Sequence, residues 1–126
     1  MMPSYQWSLW ASAWLALLSG CGDGPSGTGD NPPASASVDV GNVFFRSGHN
    51  SSTNPAVDTV AVGGTVTWTW TQAGTHGVRF DDPSIPSSAD LAASGSVFST
   101  SFATAGTFTY DCTIHGPAMA GTIVVK

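Results

Sequence analysis

The sequence predicts an all-β fold, a two-sheet Greek-key β-sandwich of about seven to eight strands. Short segments in which apolar and polar residues alternate recur through residues 37–126, and clusters of Gly, Pro, Asn and Ser separate them. This region contains no convincing helical periodicity. Its roughly 90 residues match the size of one small sandwich, so we expect a single domain.

The first half of the domain is predicted to contain strands at residues 37–45, 55–62 and 65–71. In the third of these, Val66, Trp68 and Trp70 face one way and four threonines face the other. This is a half-buried alternation of residues that favour strands. We therefore expect much of the core to form around the two tryptophans.

The next strand is predicted around His76, with His76, Val78 and Phe80 pointing inward. Residues 81–88 contain two prolines and little periodicity, which is typical of a loop. At most a short helical turn is expected near residues 89–93.

Three further strands are predicted at residues 96–102, 107–112 and 122–125. Alternation in the second of them places Phe108, Tyr110 and Cys112 on one buried face. The strand that ends at Cys112 therefore delivers a thiol at the edge of the core.

Residues 110–121 offer three possible metal ligands, the thiol of Cys112, the imidazole of His115 and the thioether of Met119. Soft sulfur together with imidazole nitrogen suits copper. The Gly-Pro pair after His115 favours a turn, and a loop that returns on itself can direct both later side chains at a metal bound by Cys112. A site with two histidines, one cysteine and a long axial methionine needs a second imidazole, which His76 supplies.

This pattern resembles the cupredoxins, the plastocyanin-like family of small blue copper proteins. The resemblance covers about residues 36–126 and rests on the Tyr-x-Cys-x-x-His-x-x-x-Met-x-Gly ending and the upstream histidine. It implies a type 1 site with one copper per chain, in which His76, Cys112 and His115 are the strong equatorial ligands. Met119 is then the weak axial ligand.

Two further expectations follow from the resemblance. Members of the family often have an asparagine after the first histidine, whose side chain ties the two ligand loops together, and this chain has Gly77 there. The resemblance also implies that the backbone N–H groups of Gly77 and Ile114 point at the Cys112 sulfur. Such contacts stabilise charge on sulfur and favour Cu(I).

Each residue also has a plainer interpretation. A free cysteine such as Cys112 can be a small buried hydrophobe, and Met119 can fill a gap in the core. His76 can be a half-buried histidine with no ligand role, and His49 is interpreted as a solvated loop residue. A c-type haem would need a second cysteine in the motif, which is absent from the sequence.

The predicted function is one-electron transfer to transient redox protein partners, and not catalysis. No open metal position with a nearby general base is evident. Two alternatives stay open, a copper-binding or copper-delivery lipoprotein without a redox partner, and a metal-free sandwich that serves as an interaction module. With 9% charged residues and a net charge of −5, the chain lacks the basic patch of a nucleic-acid binder. We expect a monomer.

The residues before the domain predict export and membrane anchoring. Residues 1–20 are interpreted as a signal peptide, because their apolar run is too short to span a bilayer and small residues follow it. The sequence Leu-Ser-Gly-Cys that ends at Cys21 resembles a bacterial lipobox, in which the cysteine is lipidated and becomes the mature N-terminus. Residues 21–36, rich in Gly, Pro and Ser, would form a flexible tether.

The predicted location is therefore the bacterial periplasm or cell surface, on a membrane. An alternative for the two cysteines of the chain is a disulfide between Cys21 and Cys112, which an oxidising compartment would permit.

Overall fold

The computed structural model describes residues 31–126, which form eight strands in two four-stranded sheets. The strands are β1 (Ser35–Gly41), β2 (Phe44–Ser47), β3 (Ala56–Val60), β4 (Thr65–Trp70), β5 (Val78–Phe80), β6 (Val97–Ser101), β7 (Gly106–Cys112) and β8 (Gly116–Val125). One sheet has the order β2-β1-β4-β6 and the other β3-β8-β7-β5. The predicted all-β sandwich of two sheets is confirmed.

Neighbouring strands in the two sheets run antiparallel except in two places. β1 runs parallel to β4 and β3 runs parallel to β8, whereas the remaining neighbours in the two sheets pair antiparallel. The signal peptide, the lipidation site at Cys21 and most of the tether lie outside the described residues.

The predicted first strand at residues 37–45 is wrong in one respect, because it is two strands joined by a tight turn. The turn lies at Asn42 and Val43, and Val43 has a φ of 64°. A β-branched residue rarely adopts this left-handed conformation, so the apolar pattern concealed the turn. The first strand also begins two residues earlier than predicted, at Ser35.

Residues 89–93, where the sequence allows at most a short helical turn, form none, since residues 31–126 contain no helix. Leu91 instead forms an isolated antiparallel bridge with His76. Consistent with this, no helix in the described part of the chain is long and apolar enough to cross a membrane. Hydrogen bonding to a distant segment overrides the local preference of this alanine-containing stretch.

Trp68 of β4 lies at the centre of the core. Val66, Trp68 and Trp70 are completely buried, as the alternation predicted. The indole of Trp68 packs edge-on against the rings of Phe80 and Tyr110, with centroids 5.7 and 5.3 Å apart. Such edge-to-face aromatic pairs add to the stabilisation from apolar burial. β4 therefore joins the inner faces of both sheets.

A close approach of backbone and side chain fixes β8 against β7. Gly121 of β8 pairs with Tyr110 of β7, and a Cβ at Gly121 would overlap the ring Cζ and the hydroxyl oxygen of Tyr110. The buried phenol therefore lies over the Gly121 backbone in space that only glycine leaves open.

We expect Gly121→Ala to lower the free energy of unfolding by about 1–3 kcal/mol, because the added methyl group overpacks the core against the Tyr110 ring. Thr122→Ala is the matched control on the same strand, since Thr122 is only partly buried. Denaturant unfolding of the metal-free variants measures the difference. Equal stability of the two variants would contradict the proposed close packing.

Candidate metal centre

Three predicted ligands meet at one end of the sandwich. The ligand atoms of His76, Cys112 and His115 all lie within 4.8 Å of one another. The sulfur of Cys112 is 3.8 Å from Nδ1 of His76 and 3.6 Å from Nδ1 of His115. The fold thus brings His76 to a thiol that lies 36 residues away in the chain.

Backbone hydrogen bonds hold His76 in place just before β5. Its N–H donates to Leu91 O at 3.0 Å, and Leu91 N–H donates to His76 O at 2.9 Å. His76 is only 1% exposed. Burial first, and then the neighbouring His115, lower the pKa of His76 below its ordinary value. A neutral ring is the form in which an imidazole nitrogen can bind a metal.

The thiol of Cys112 ends β7 and is completely buried. Cys112 pairs with Val78 of β5, so its backbone is held in the sheet. Among residues 31–126 the Cys112 thiol forms no disulfide, and Cys21, the other cysteine of the disulfide alternative, lies outside the described residues. Ile114 N–H donates to the Cys112 sulfur at 3.4 Å, which confirms one of the two expected amide contacts. Among residues 31–126, no such hydrogen bond from Gly77 N–H is found.

A change of register between β7 and β8 shapes residues 113–119, the loop that carries the other two predicted ligands, His115 and Met119. Asp111 pairs with Ala120, but the next residue, Cys112, pairs with Gly116, so residues 117–119 are looped out. Gly116 has a φ of 61°, a conformation that glycine adopts at no steric cost. The turn predicted at the Gly-Pro pair is therefore part of a wider bulge.

The loop places His115 and Met119 in different environments. His115 is partly exposed, whereas Met119 is completely buried in the core. Ala120 N–H, next to Met119, donates to the side-chain oxygen of Asn54 at 3.4 Å. Burial of Met119 fits an axial thioether ligand, and it fits a core side chain equally well.

The donor set fits copper. One sulfur faces two imidazole nitrogens, and this mixture of soft and borderline ligands suits copper among the biological metals. Each histidine presents Nδ1 to the sulfur, so the same ring atom of both residues is available for the metal. His49 lies outside this cluster on an exposed loop.

Two residues near the cluster had no signal in the sequence. Leu91 is linked to His76 by backbone atoms, which carry no information about residue type. Asp90 accepts a hydrogen bond from the Thr113 hydroxyl, beside Cys112, although the two residues are 23 positions apart. An isolated aspartate in a polar loop gives no indication of such a contact.

Comparison with known proteins supports the same assignment. The family described as copper binding proteins, plastocyanin/azurin family, matches residues 44–126, which include all four predicted metal ligands. Plastocyanin of Scenedesmus fuscus is 38% identical, and the match covers 57% of this chain and 84% of that protein.

Solved structures resemble the chain over most of the described residues. A novel purple cupredoxin from Nitrosopumilus maritimus is 25% identical with a TM-score of 0.57, covering 72% of this chain and 99% of that chain. The Cu(I) form of an amicyanin mutant is 28% identical with a TM-score of 0.57, covering 74% of this chain and 83% of that chain.

We expect addition of Cu(II) to give an intense thiolate-to-copper charge-transfer band that is lost in Cys112→Ser, because the band requires a metal–thiolate bond. His76→Ala and His115→Ala should weaken or shift it. His49→Ala is the control and should match the wild-type spectrum. A Cys112→Ser variant that keeps the band would show that the thiol does not bind the metal.

Proposed function

Because this chain belongs to the plastocyanin/azurin family of copper-binding proteins, we propose that it carries single electrons between redox partners, with one copper per chain. His76, Cys112 and His115 would hold the metal strongly, and Met119 would bind it weakly. When bound, copper supplies one-electron chemistry by alternating between Cu(I) and Cu(II). The main support is the placement of two Nδ1 atoms at 3.8 and 3.6 Å from one buried sulfur.

The residues around the cluster favour an electron carrier over a copper-delivery protein. A carrier needs the same ligand positions in both oxidation states, and backbone pairing holds His76 against Leu91 and Cys112 against Val78. The Ile114 N–H stabilises negative charge on the sulfur. A delivery protein must release its metal. His76 and Cys112 are at most 1% exposed, so a metal held between them is hard for an acceptor to reach. Transfer of copper to a chelator within seconds would favour delivery instead.

The surface around His115 supports a transient redox partner. His115 is partly exposed, and its neighbours Ile114, Pro117 and Ala118 are exposed and uncharged. With Nδ1 on the metal, the exposed part of this partly exposed ring would give the electron a short path to the surface. A small apolar surface suits a weak and short-lived encounter between monomers.

We expect Ala118→Glu to slow electron self-exchange roughly tenfold at low ionic strength, because like charges then oppose each other at the encounter surface. The copper spectrum should not change. Val62→Glu is the control, since Val62 is 52% exposed and follows β3 at the opposite end of the sandwich. If Ala118→Glu exchanges electrons at the wild-type rate, the electron leaves by another route.

We further propose that the protein is exported and held on a membrane by a lipid on Cys21. The support is the sequence alone, a short apolar run followed by Leu-Ser-Gly-Cys. Residues 1–20 would be removed, and residues 21–36 would tether the domain of residues 37–126. A flexible tether of about 15 residues has a typical reach of roughly 20 Å, so the domain would stay close to its membrane.

We expect mass spectrometry of the wild-type protein to find a lipid on Cys21, and Cys21→Ala to release the protein from the membrane fraction. Cys112→Ser removes the other cysteine and should leave the lipid in place. An unmodified Cys21 in protein from a bacterial host with the lipidation enzymes would contradict the anchor.

A further inference from the structure

Gly77, the residue after His76, leaves space for two side chains from other parts of the chain. A Cβ at Gly77 would overlap Thr113 Oγ1 and would lie 2.5 Å from Asp90 Oδ1. Thr113 follows Cys112, and its hydroxyl donates a hydrogen bond to this same carboxylate oxygen. The hydrogen bond between Thr113 and Asp90 therefore lies over the Gly77 backbone, and any larger side chain at position 77 would displace one of the two partners.

Asp90 belongs to a segment that also holds His76. Leu91 exchanges two backbone hydrogen bonds with His76, at 2.9 and 3.0 Å, and Gly74 N–H donates to Ala92 O at 2.9 Å. Residues 90–92 thus contact the His76 side of the centre through backbone atoms. They contact the Cys112 side through the Asp90 carboxylate.

Regular strand pairing does not reach the two histidines. The ladder between β5 and β7 ends where Val78 pairs with Cys112, and both imidazoles lie beyond that pair. His76 precedes Val78 by two residues, and His115 follows Cys112 by three. Beyond the end of the ladder, the Asp90 segment is a direct connection between the two ligand-bearing stretches.

We propose that Asp90 is a positioning residue for the copper centre, which holds Thr113, and with it Cys112 and His115, at a fixed position relative to His76. This inference rests on the proposed copper function. The hydrogen bond between Thr113 and Asp90 connects the two ligand loops. Gly77 cannot make such a connection because it has no side chain.

The test compares Asp90→Ala and Thr113→Ala, which remove the hydrogen bond, with Asp90→Asn and Thr113→Ser, which keep an acceptor and a donor. Asp82→Ala removes a partly exposed charge in the loop after β5, away from both ligand loops, and serves as the control. Copper affinity, the Cu(II) electron paramagnetic resonance spectrum and the reduction potential are measured on the full chain. Amide hydrogen exchange at residues 113–115 is measured without metal.

The two alanine variants should bind copper about tenfold more weakly, the lower end of the range for residues that support metal ligands. Their spectra and potentials should shift, their amides at 113–115 should exchange faster, and the double variant should add nothing further. Asp90→Asn and Thr113→Ser should restore the wild-type values. A merely structural bond would change thermal stability without altering the spectrum or the potential.

Wild-type affinity, spectrum and amide exchange in both alanine variants would overturn the inference. It would equally fail if Asp90→Asn behaved like Asp90→Ala, because the charge and not the hydrogen bond would then matter. Failure of the proposed function gives a different result, namely wild-type protein that binds copper but does not exchange electrons. In that case amide exchange and copper affinity still decide the role of Asp90.

Discussion

The ladder between β7 and β8 changes register at a single step, and the arrangement of the metal centre depends on that step. Residues 106–111 of β7 pair regularly with β8. Cys112 then pairs with Gly116, and not with Met119 as the regular register would require. The step removes residues 117–119 from the pairing with β7 without separating the strands. Cys112 therefore stays paired in the sheet, His115 lies in the turn between Cys112 and Gly116, and Met119 lies in the looped-out segment, so a β-sandwich can present several donors at one end.

Burial of the donors has an energetic cost that a metal can offset. His76 is almost inaccessible, and among the described residues its Nε2 atom finds no hydrogen-bond partner. An unsatisfied buried polar group costs about 1–3 kcal/mol. Copper that binds these donors more tightly in the folded state than in the unfolded chain would add to stability. The centre and the fold thus stabilise each other.

Local patterns predicted most of the fold, and contacts between distant residues account for what was missed. The alternation around Trp68 is local, and the burial that it predicts is confirmed. Cys112 and His115 are three residues apart and lie together with His76, but His76 is 36 positions from Cys112 and no local pattern encodes that approach. Val43 concealed a turn because its side chain favours strands while its backbone is left-handed. The bond between Thr113 and Asp90 joins residues 23 positions apart, which no periodicity encodes.

The parallel pairing of β1 with β4 determines where the chain enters the domain. β1 ends at Gly41, next to Asn42, and the side-chain oxygen of Asn42 approaches the same Gly74 that lies over the His76 ring. The start of β1 at Ser35 therefore lies at the opposite pole from the metal centre. Under the proposed anchoring at Cys21, the flexible tether would join the domain at the pole farthest from the His115 surface. Attachment there leaves that surface free for a partner, and the lipid bilayer need not compete for it.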